Sequence, residues 1–93
     1  MIVDFHDKET ERVFLREGKT KLARSVRRAA LRKLLMLDAA ETLDDLRVLP
    51  GNRLEKLVGD REGQHSIRIN KQWRLCFRWS NGNGHDVEIA DYH

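Results

Sequence analysis

Residues 64–79 read QHSIRINKQWRLCFRW and carry the clearest structural pattern in the chain. Two runs alternate apolar with polar residues, and the polar segment Asn70-Lys71-Gln72 separates them, which is typical of a β-hairpin. Because successive side chains in a strand point to opposite faces, odd and even positions form two different surfaces. The odd surface is apolar and comprises Ile67, Ile69, Trp73, Leu75, Phe77 and Trp79. The pattern therefore predicts a hairpin with one face suited to a hydrophobic core.

The even positions of this hairpin have the opposite chemistry and are Ser66, Arg68, Arg74, Cys76 and Arg78. Three guanidinium groups on one face make a poor core, whereas each offers a rigid planar set of donors that matches phosphate oxygens. We therefore expect the even face to bind a polyanion. Cys76 is interpreted as a small hydrophobic residue within the strand.

Further strands and turns are predicted on both sides of the hairpin. Upstream, residues 53–58 predict a strand that enters the sheet, and residues 59–63 predict a turn. Downstream, residues 80–84 read SNGNG, which is the strongest turn signal in the chain. Residues 86–92 then predict a last strand, which Val87 and Ile89 can anchor in the core.

The N-terminal half is predicted to be helical after a short strand at residues 1–5. Asp7 can cap a helix over residues 8–17, and Gly18 can close it in a left-handed turn. A second helix is expected from residue 21 or 25 to residue 37. Its apolar face has spacings of three and four and consists of Leu22, Val26, Ala30, Leu34 and Leu37.

A third, short helix is predicted to begin at Asp38. Glu41 follows three residues later, as in a capping box, and Leu43 and Leu46 supply apolar anchors before Pro50 ends the helix. The order of a strand, helices and then antiparallel strands predicts the α+β class, with the helices packed on the apolar sheet face.

Length and composition restrict the class of protein further. The chain has 93 residues, so one domain over residues 1–93 is expected, and it is 40% hydrophobic and 35% charged. No run approaches the roughly 20 apolar residues of a membrane span, and residues 1–5 lack the features of a signal peptide. We therefore expect a cytoplasmic protein without membrane contact. The single cysteine permits no internal disulfide, which agrees with a reducing compartment.

The net charge of +3 conceals a strong segregation of charge. Residues 19–37 contain seven basic residues and no acidic one, whereas residues 38–45 contain four acidic residues and no basic one. Arg24, Arg28 and Arg32 line the side of the second helix opposite its apolar face. They form either a solvated helix surface or a contact surface for nucleic acid or an acidic protein.

Several types of functional site are excluded by residue spacing. The four histidines, at positions 6, 65, 85 and 93, and the one cysteine show no metal-ligand spacing, so no metal is expected. Residues 59–63 read GDREG and lack the Gly-Lys-Ser/Thr of a phosphate-binding loop, so we interpret them as a plain turn. No cofactor is expected.

The remaining residues suit cleavage of RNA without a metal. Cleavage through the 2′-hydroxyl needs a proton acceptor, a proton donor and cations around the phosphorane. The chain ends in Asp91, Tyr92 and His93, and a histidine can accept or donate a proton near neutrality. Arg74 and its neighbours can hold the phosphate. The alternative for His93 is an idle residue at a frayed chain end.

The sequence resembles the HigB toxins of the RelE-like superfamily, the growth-inhibiting half of bacterial toxin-antitoxin pairs. The resemblance rests on LPGNRL at residues 49–54, GDREG at 59–63, SIRIN at 66–70, QWRLCF at 72–77, VEI at 87–89 and the closing DYH. It is close over the C-terminal half, whereas the N-terminal helices match only by pattern.

This resemblance implies a curved sheet whose concave face is open to RNA, and a ribosome-dependent endoribonuclease that cuts messenger RNA. It also implies a cognate helix-turn-helix antitoxin, with operator DNA contacted only through that antitoxin. The implied catalytic residues are Asp91, Tyr92, His93 and Arg74. The basic residues that we expect to bind RNA are Lys56, Arg61, Arg68, Arg78, Arg24 and Arg28.

One departure from the family pattern concerns catalysis. Some relatives carry a histidine and a lysine shortly before Gly-Asp-Arg, where this chain has Glu55 and Val58, so cleavage is expected to be slow. Lys56 is the nearest cation. Two hypotheses follow: a metal-independent mRNA endoribonuclease, or a non-catalytic module that binds RNA or an antitoxin. Only the first needs the three residues of the chain end.

Overall fold

The computed structural model describes residues 1–91, so Tyr92 and His93 lie outside the described residues. Three α-helices precede a four-stranded antiparallel sheet of order β1-β2-β3-β4, which confirms the predicted α+β class. The helices are α1 (Lys8–Leu15), α2 (Arg24–Ala39) and α3 (Leu43–Arg47). The strands are β1 (Glu55–Lys56), β2 (His65–Arg68), β3 (Trp73–Ser80) and β4 (Asn83–Asp91), and a short 3-10 helix occupies Gly59–Arg61.

The N-terminal segment differs from the predicted strand. It runs parallel to β4 and pairs with it only through isolated bridges, Ile2 with Gly84 and Phe5 with Val87. Hydrogen bonds such as Val3 N–H to the Gly84 carbonyl, 2.8 Å, hold it there. The segment therefore covers the outer edge of β4 without becoming a regular strand.

The first two helices follow their sequence signals with shifted ends. The Asp7 carboxylate accepts a hydrogen bond from the Thr10 N–H at 2.8 Å and caps α1 as predicted. The helix ends at Leu15, because Arg16 adopts the left-handed conformation two residues before Gly18. Helix α2 runs two residues beyond the predicted end at Leu37.

The prediction that Asp38 begins the third helix is wrong. Asp38 lies in the last turn of α2, where its carboxylate accepts a hydrogen bond from the Ile2 N–H at 2.8 Å. The capping box is formed by Thr42 and Asp45 instead, and each side chain accepts from the other residue's N–H. In this acidic stretch, Asp38 therefore binds the N-terminal segment and Asp45 caps α3.

The odd face of the hairpin forms the core, as the alternating pattern predicts. Helix α2 contacts β3 and β4, and α1 contacts α2 and β4. The core side chains from the odd face are Ile67, Ile69, Leu75 and Phe77, with Trp73 and Trp79 partly buried against them. Helix α2 adds Ala30, Leu34 and Leu37. Both helices thus pack on one face of the sheet, which leaves the even face on the far side.

The β3–β4 hairpin turns more tightly than expected. Asn81 and Gly82 both have positive φ, 53° and 76°, as in the two-residue turn that matches strand twist. Strand β4 therefore starts at Asn83 rather than at residue 86. The pairing of β3 with β4 also contains a register shift between Cys76 and Arg78, and Asp86 on β4 has a φ of 54°. Such irregularities bend a sheet.

Candidate functional site

The even sheet face is covered in its centre and open towards its ends. Leu57, Cys76 and Ala90 form a small buried cluster there, and burial raises the pKa of the Cys76 thiol. The segment that joins β1 to β2 covers this part of the face, because Leu57 packs against Cys76 and Ala90 and Arg61 binds Glu88 of β4. The expected continuous arginine surface is therefore interrupted. The predicted strand at 53–58 is also shortened to two residues, because Leu57 turns inward and Arg53 has a φ of 45°.

Arg74 is a buried arginine in this face and is only 9% exposed. Its Nε donates to Ser66 Oγ at 2.7 Å, and its Nη2 donates to the Arg53 carbonyl at 2.6 Å. Its hydrogen bonds and its ion pair within residues 1–91 all use these two nitrogens, which leaves Nη1 without a hydrogen bond in that part of the chain. The guanidinium is therefore fixed in position on two sides.

Strand β1 places two charged side chains at this end of the sheet, on opposite faces. Glu55 lies with a carboxylate oxygen 3.8 Å from Arg74 Nη2 and is 54% exposed. Lys56 is exposed and pairs with His65 in the strand register. Of these two residues, only Glu55 shares the even face with Arg74, because Lys56 pairs with the odd-face residue His65.

Arg61 spans from the covering segment to β4. Its Nη1 donates to Glu88 Oε1 at 3.0 Å and to Gln64 Oε1 at 3.1 Å. Glu88 belongs to the even face, because it pairs with Cys76 in the register. The ion pair holds the GDREG segment against the sheet, which gives this arginine a structural role beside its predicted RNA contact.

Arg78 lies at the other end of the face, in a group of charges that sequence reasoning did not detect. Arg78 is exposed, and its Nε is 3.9 Å from Asp86 Oδ2. His6 Nδ1 is 3.1 Å from Asp86 Oδ1, and His6 Nε2 is 3.9 Å from Glu88 Oε1. The hydrogen bond to Asp86 and the charge of Glu88 raise the pKa of His6. His6 is 80 positions from Asp86, so no local pattern indicated this group.

The remaining predicted RNA-binding arginines are not all brought to this face. Arg68 is half-buried on β2 and pairs with Arg74 in the register, so these two residues share the even face. Arg24 and Arg28 are exposed on α2, which packs on the odd face. These two helical arginines therefore lie on the other side of the sheet from Arg74.

The described part of the chain end is a paired strand. Ala90 lies opposite Arg74, and Asp91 lies opposite Trp73. Asp91 therefore projects from the odd face, where Gln72 Nε2 donates to its carboxylate at 3.3 Å. The other two predicted catalytic residues, Tyr92 and His93, lie outside the described residues. Within residues 1–91, no group of three or more potential ligands is arranged to hold a metal ion.

Comparison with known proteins identifies the class of this fold and site. The family model described as the RelE-like toxin of type II toxin-antitoxin system HigB matches residues 3–93, so the chain belongs to the HigB family of RelE-like toxins. It is 45% identical over 83 residues to Toxin HigB-1 of Vibrio cholerae serotype O1, across 88% of this chain and 87% of that protein. It is 42% identical over 41 residues to Endoribonuclease HigB of Proteus vulgaris, across 44% and 45% of the two chains.

Solved structures show the same fold. The YoeB-YefM complex from Staphylococcus aureus contains a chain that matches with a TM-score of 0.60 at 18% identity, over 100% of this chain and 98% of that chain. At this identity the likeness shows the fold alone. Among the described residues, no helix is long and apolar enough to cross a membrane.

Proposed function

We propose that this toxin is a ribosome-dependent mRNA endoribonuclease that works without a metal and uses the 2′-hydroxyl of its substrate. The observation that carries the proposal is the register of β3 and β4, in which Ala90 lies opposite Arg74. The described end of β4 therefore lies next to Arg74 in the sheet, and Asp91 is one position beyond this pair.

The proposed roles divide between phosphate binding and proton transfer. Arg74, fixed through Nε and Nη2, donates from Nη1 to the scissile phosphate, because a guanidinium held in place needs little reorganisation as charge develops. His93 transfers a proton, and Tyr92 orients or stacks on the substrate. Asp91, whose carboxylate accepts from Gln72 Nε2 on the odd face, contributes by positioning the end of β4. Lys56, Arg61, Arg68 and Arg78 supply positive charge along the RNA backbone.

The proposed partners are messenger RNA on the ribosome and a cognate helix-turn-helix antitoxin, through which operator DNA is contacted. The family membership supports the antitoxin, and the chain of similar fold in the Staphylococcus aureus structures belongs to a YoeB-YefM toxin-antitoxin complex. We place the toxin in the cytoplasm, where its translated substrate is found. Neutralisation by the antitoxin relieves inhibition of translation and growth.

Induction of the chain alone in a bacterium, with mapping of mRNA 5′ ends, tests this function. We expect new 5′ ends within translated regions and arrested growth. Growth arrest without new ends would instead favour the non-catalytic binding module. A chain with Asp91, Tyr92 and His93 all replaced by alanine is the matched control, because the binding module does not need these residues.

A further inference from the structure

The helical side of the molecule contains a pocket with an unusual concentration of arginines. It lies between the end of α1 and the first half of α2 and has a volume of about 250 Å³. Arg12 and Arg16 line it from one side, and Arg27 and Arg28 from α2. We call these four residues and the space between them the arginine pocket.

The guanidinium groups of the arginine pocket form no ion pairs within residues 1–91, and the pocket is strongly positive. No ion pair joins any of its four guanidinium groups to a carboxylate of that part of the chain, although Glu17 also lines the pocket. Thr20, another lining residue, has a buried hydroxyl oxygen without a hydrogen-bond partner in the same range. Four like charges and an unused hydroxyl together suit a bound carboxylate or phosphate.

An exposed apolar strip continues from the pocket along α2. Leu31 lines both the pocket and this strip, which Leu35, Met36 and Ala39 complete. Leu35 is 42% exposed. Arg28 and Arg32 lie among these apolar residues. The helix thus presents an apolar surface bordered by positive charge, which matches a segment that is both apolar and acidic.

We propose that this surface, the arginine pocket with the apolar strip, docks an acidic and apolar segment of the cognate antitoxin. A carboxylate of that segment occupies the arginine pocket, and its aliphatic side chains cover Leu31 and Leu35. The proposal rests on the proposed function in so far as that function includes an antitoxin. An RNA strand is the poorer occupant, because its phosphates would match the arginines but leave the apolar strip uncovered.

The position of this surface has a consequence for neutralisation. Helix α2 packs on the odd face of the sheet, so the docked segment lies on the side away from Arg74 and Arg78. The segment therefore binds without filling the even face.

Affinity measurements with the full-length toxin and its purified cognate antitoxin test the proposal. We expect Arg12→Glu to weaken binding roughly 10-fold or more, the usual size for a lost charge-assisted contact, and Leu35→Ser about fivefold. Lys8→Glu is the matched control, because it makes the same charge change in α1 on an exposed residue outside the pocket. We expect the control to bind as tightly as the wild type.

The outcomes separate this inference from the proposed function. Weaker antitoxin binding by both test variants, with an unchanged Lys8→Glu control, supports the docking surface. Wild-type affinity in either test variant overturns it, and so does an equal loss in the control. Loss of ribosome binding with intact antitoxin affinity would assign the surface to RNA and also overturn it. None of these results depends on cleavage, which the mapping of mRNA ends tests by itself.

Discussion

Replacing Arg74 by alanine should reduce both stability and activity, and the structure allows the first effect to be estimated. The change removes the hydrogen bonds to Ser66 Oγ at 2.7 Å and to the Arg53 carbonyl at 2.6 Å. Bonds to a charged group contribute about 1.5–3 kcal/mol each, and part of this is recovered because no charge is then buried. We therefore expect a loss of roughly 2–4 kcal/mol in the free energy of unfolding.

Urea unfolding followed by tryptophan fluorescence measures this loss, because Trp73 and Trp79 pack against the core. Arg78→Ala is the matched control. It makes the same substitution on the same strand and face, but Arg78 is exposed, so a change within about 0.5 kcal/mol is expected. A domain of this size has about 5–15 kcal/mol of stability, so the Arg74 variant should still fold. Equal stabilities of the two variants would refute the interpretation that the buried Arg74 guanidinium stabilises the fold through its hydrogen bonds.

Activity should then be compared at a temperature where both variants are folded. Arg74→Ala is expected to lose most of its toxicity per folded molecule, because the phosphate loses its donor. Arg74→Lys should restore activity only partly, since lysine keeps the charge but not the planar set of donors. Unchanged toxicity of Arg74→Ala at matched levels of folded protein would remove this residue from the site.

Three further variants test other parts of the structure. His6→Gln should reduce stability more at about pH 5 than at about pH 8. The pKa of His6 is raised in the folded state, so protonated His6 stabilises the fold fully below the unfolded pKa of about 6.5. This contribution is lost as the pH rises through the folded pKa. A pH-independent difference in unfolding midpoints would contradict this. Gly63→Ala should lower the free energy of unfolding by about 1–2 kcal/mol, because Gly63 has a φ of 91°. It should also displace Arg78, since an added Cβ would lie 2.7 Å from Arg78 Nη1. Urea unfolding measures the loss, and wild-type stability of this variant would contradict the prediction. Tyr92→Phe should retain cleavage of programmed ribosomes if the ring only stacks on a base, whereas a large loss would assign the role to the hydroxyl.

The core could be predicted from the sequence because its signal is local. Alternation over residues 64–79 fixes which side chains share a face, and Ile67, Leu75 and Phe77 are buried as that pattern requires. The cap at Asp7 was equally local. The prediction for Asp38 was wrong because its carboxylate accepts a hydrogen bond from the Ile2 N–H, 36 positions away, instead of capping a helix.

The even face was predicted only in part, for a similar reason. Residue types indicated where the arginines lie, but the burial of Arg74 depends on the path of residues 53–64 across the sheet. That path is set by long-range contacts, such as Leu57 with Cys76 and Ala90. The group around His6 was missed altogether, because the N-terminal segment meets β4 only in the folded chain.

The most direct test of the central claim is cleavage of messenger RNA on programmed ribosomes by the purified chain and by a chain that lacks His93. We predict that the complete chain cuts ribosome-bound mRNA but spares the same mRNA free in solution. Deletion of His93 should lower the rate roughly 10²-fold, the usual size of a general acid-base contribution, while antitoxin binding stays unchanged. Full cleavage by the shortened chain would contradict the proposed mechanism, and an absence of cleavage by the complete chain would contradict the proposed function itself.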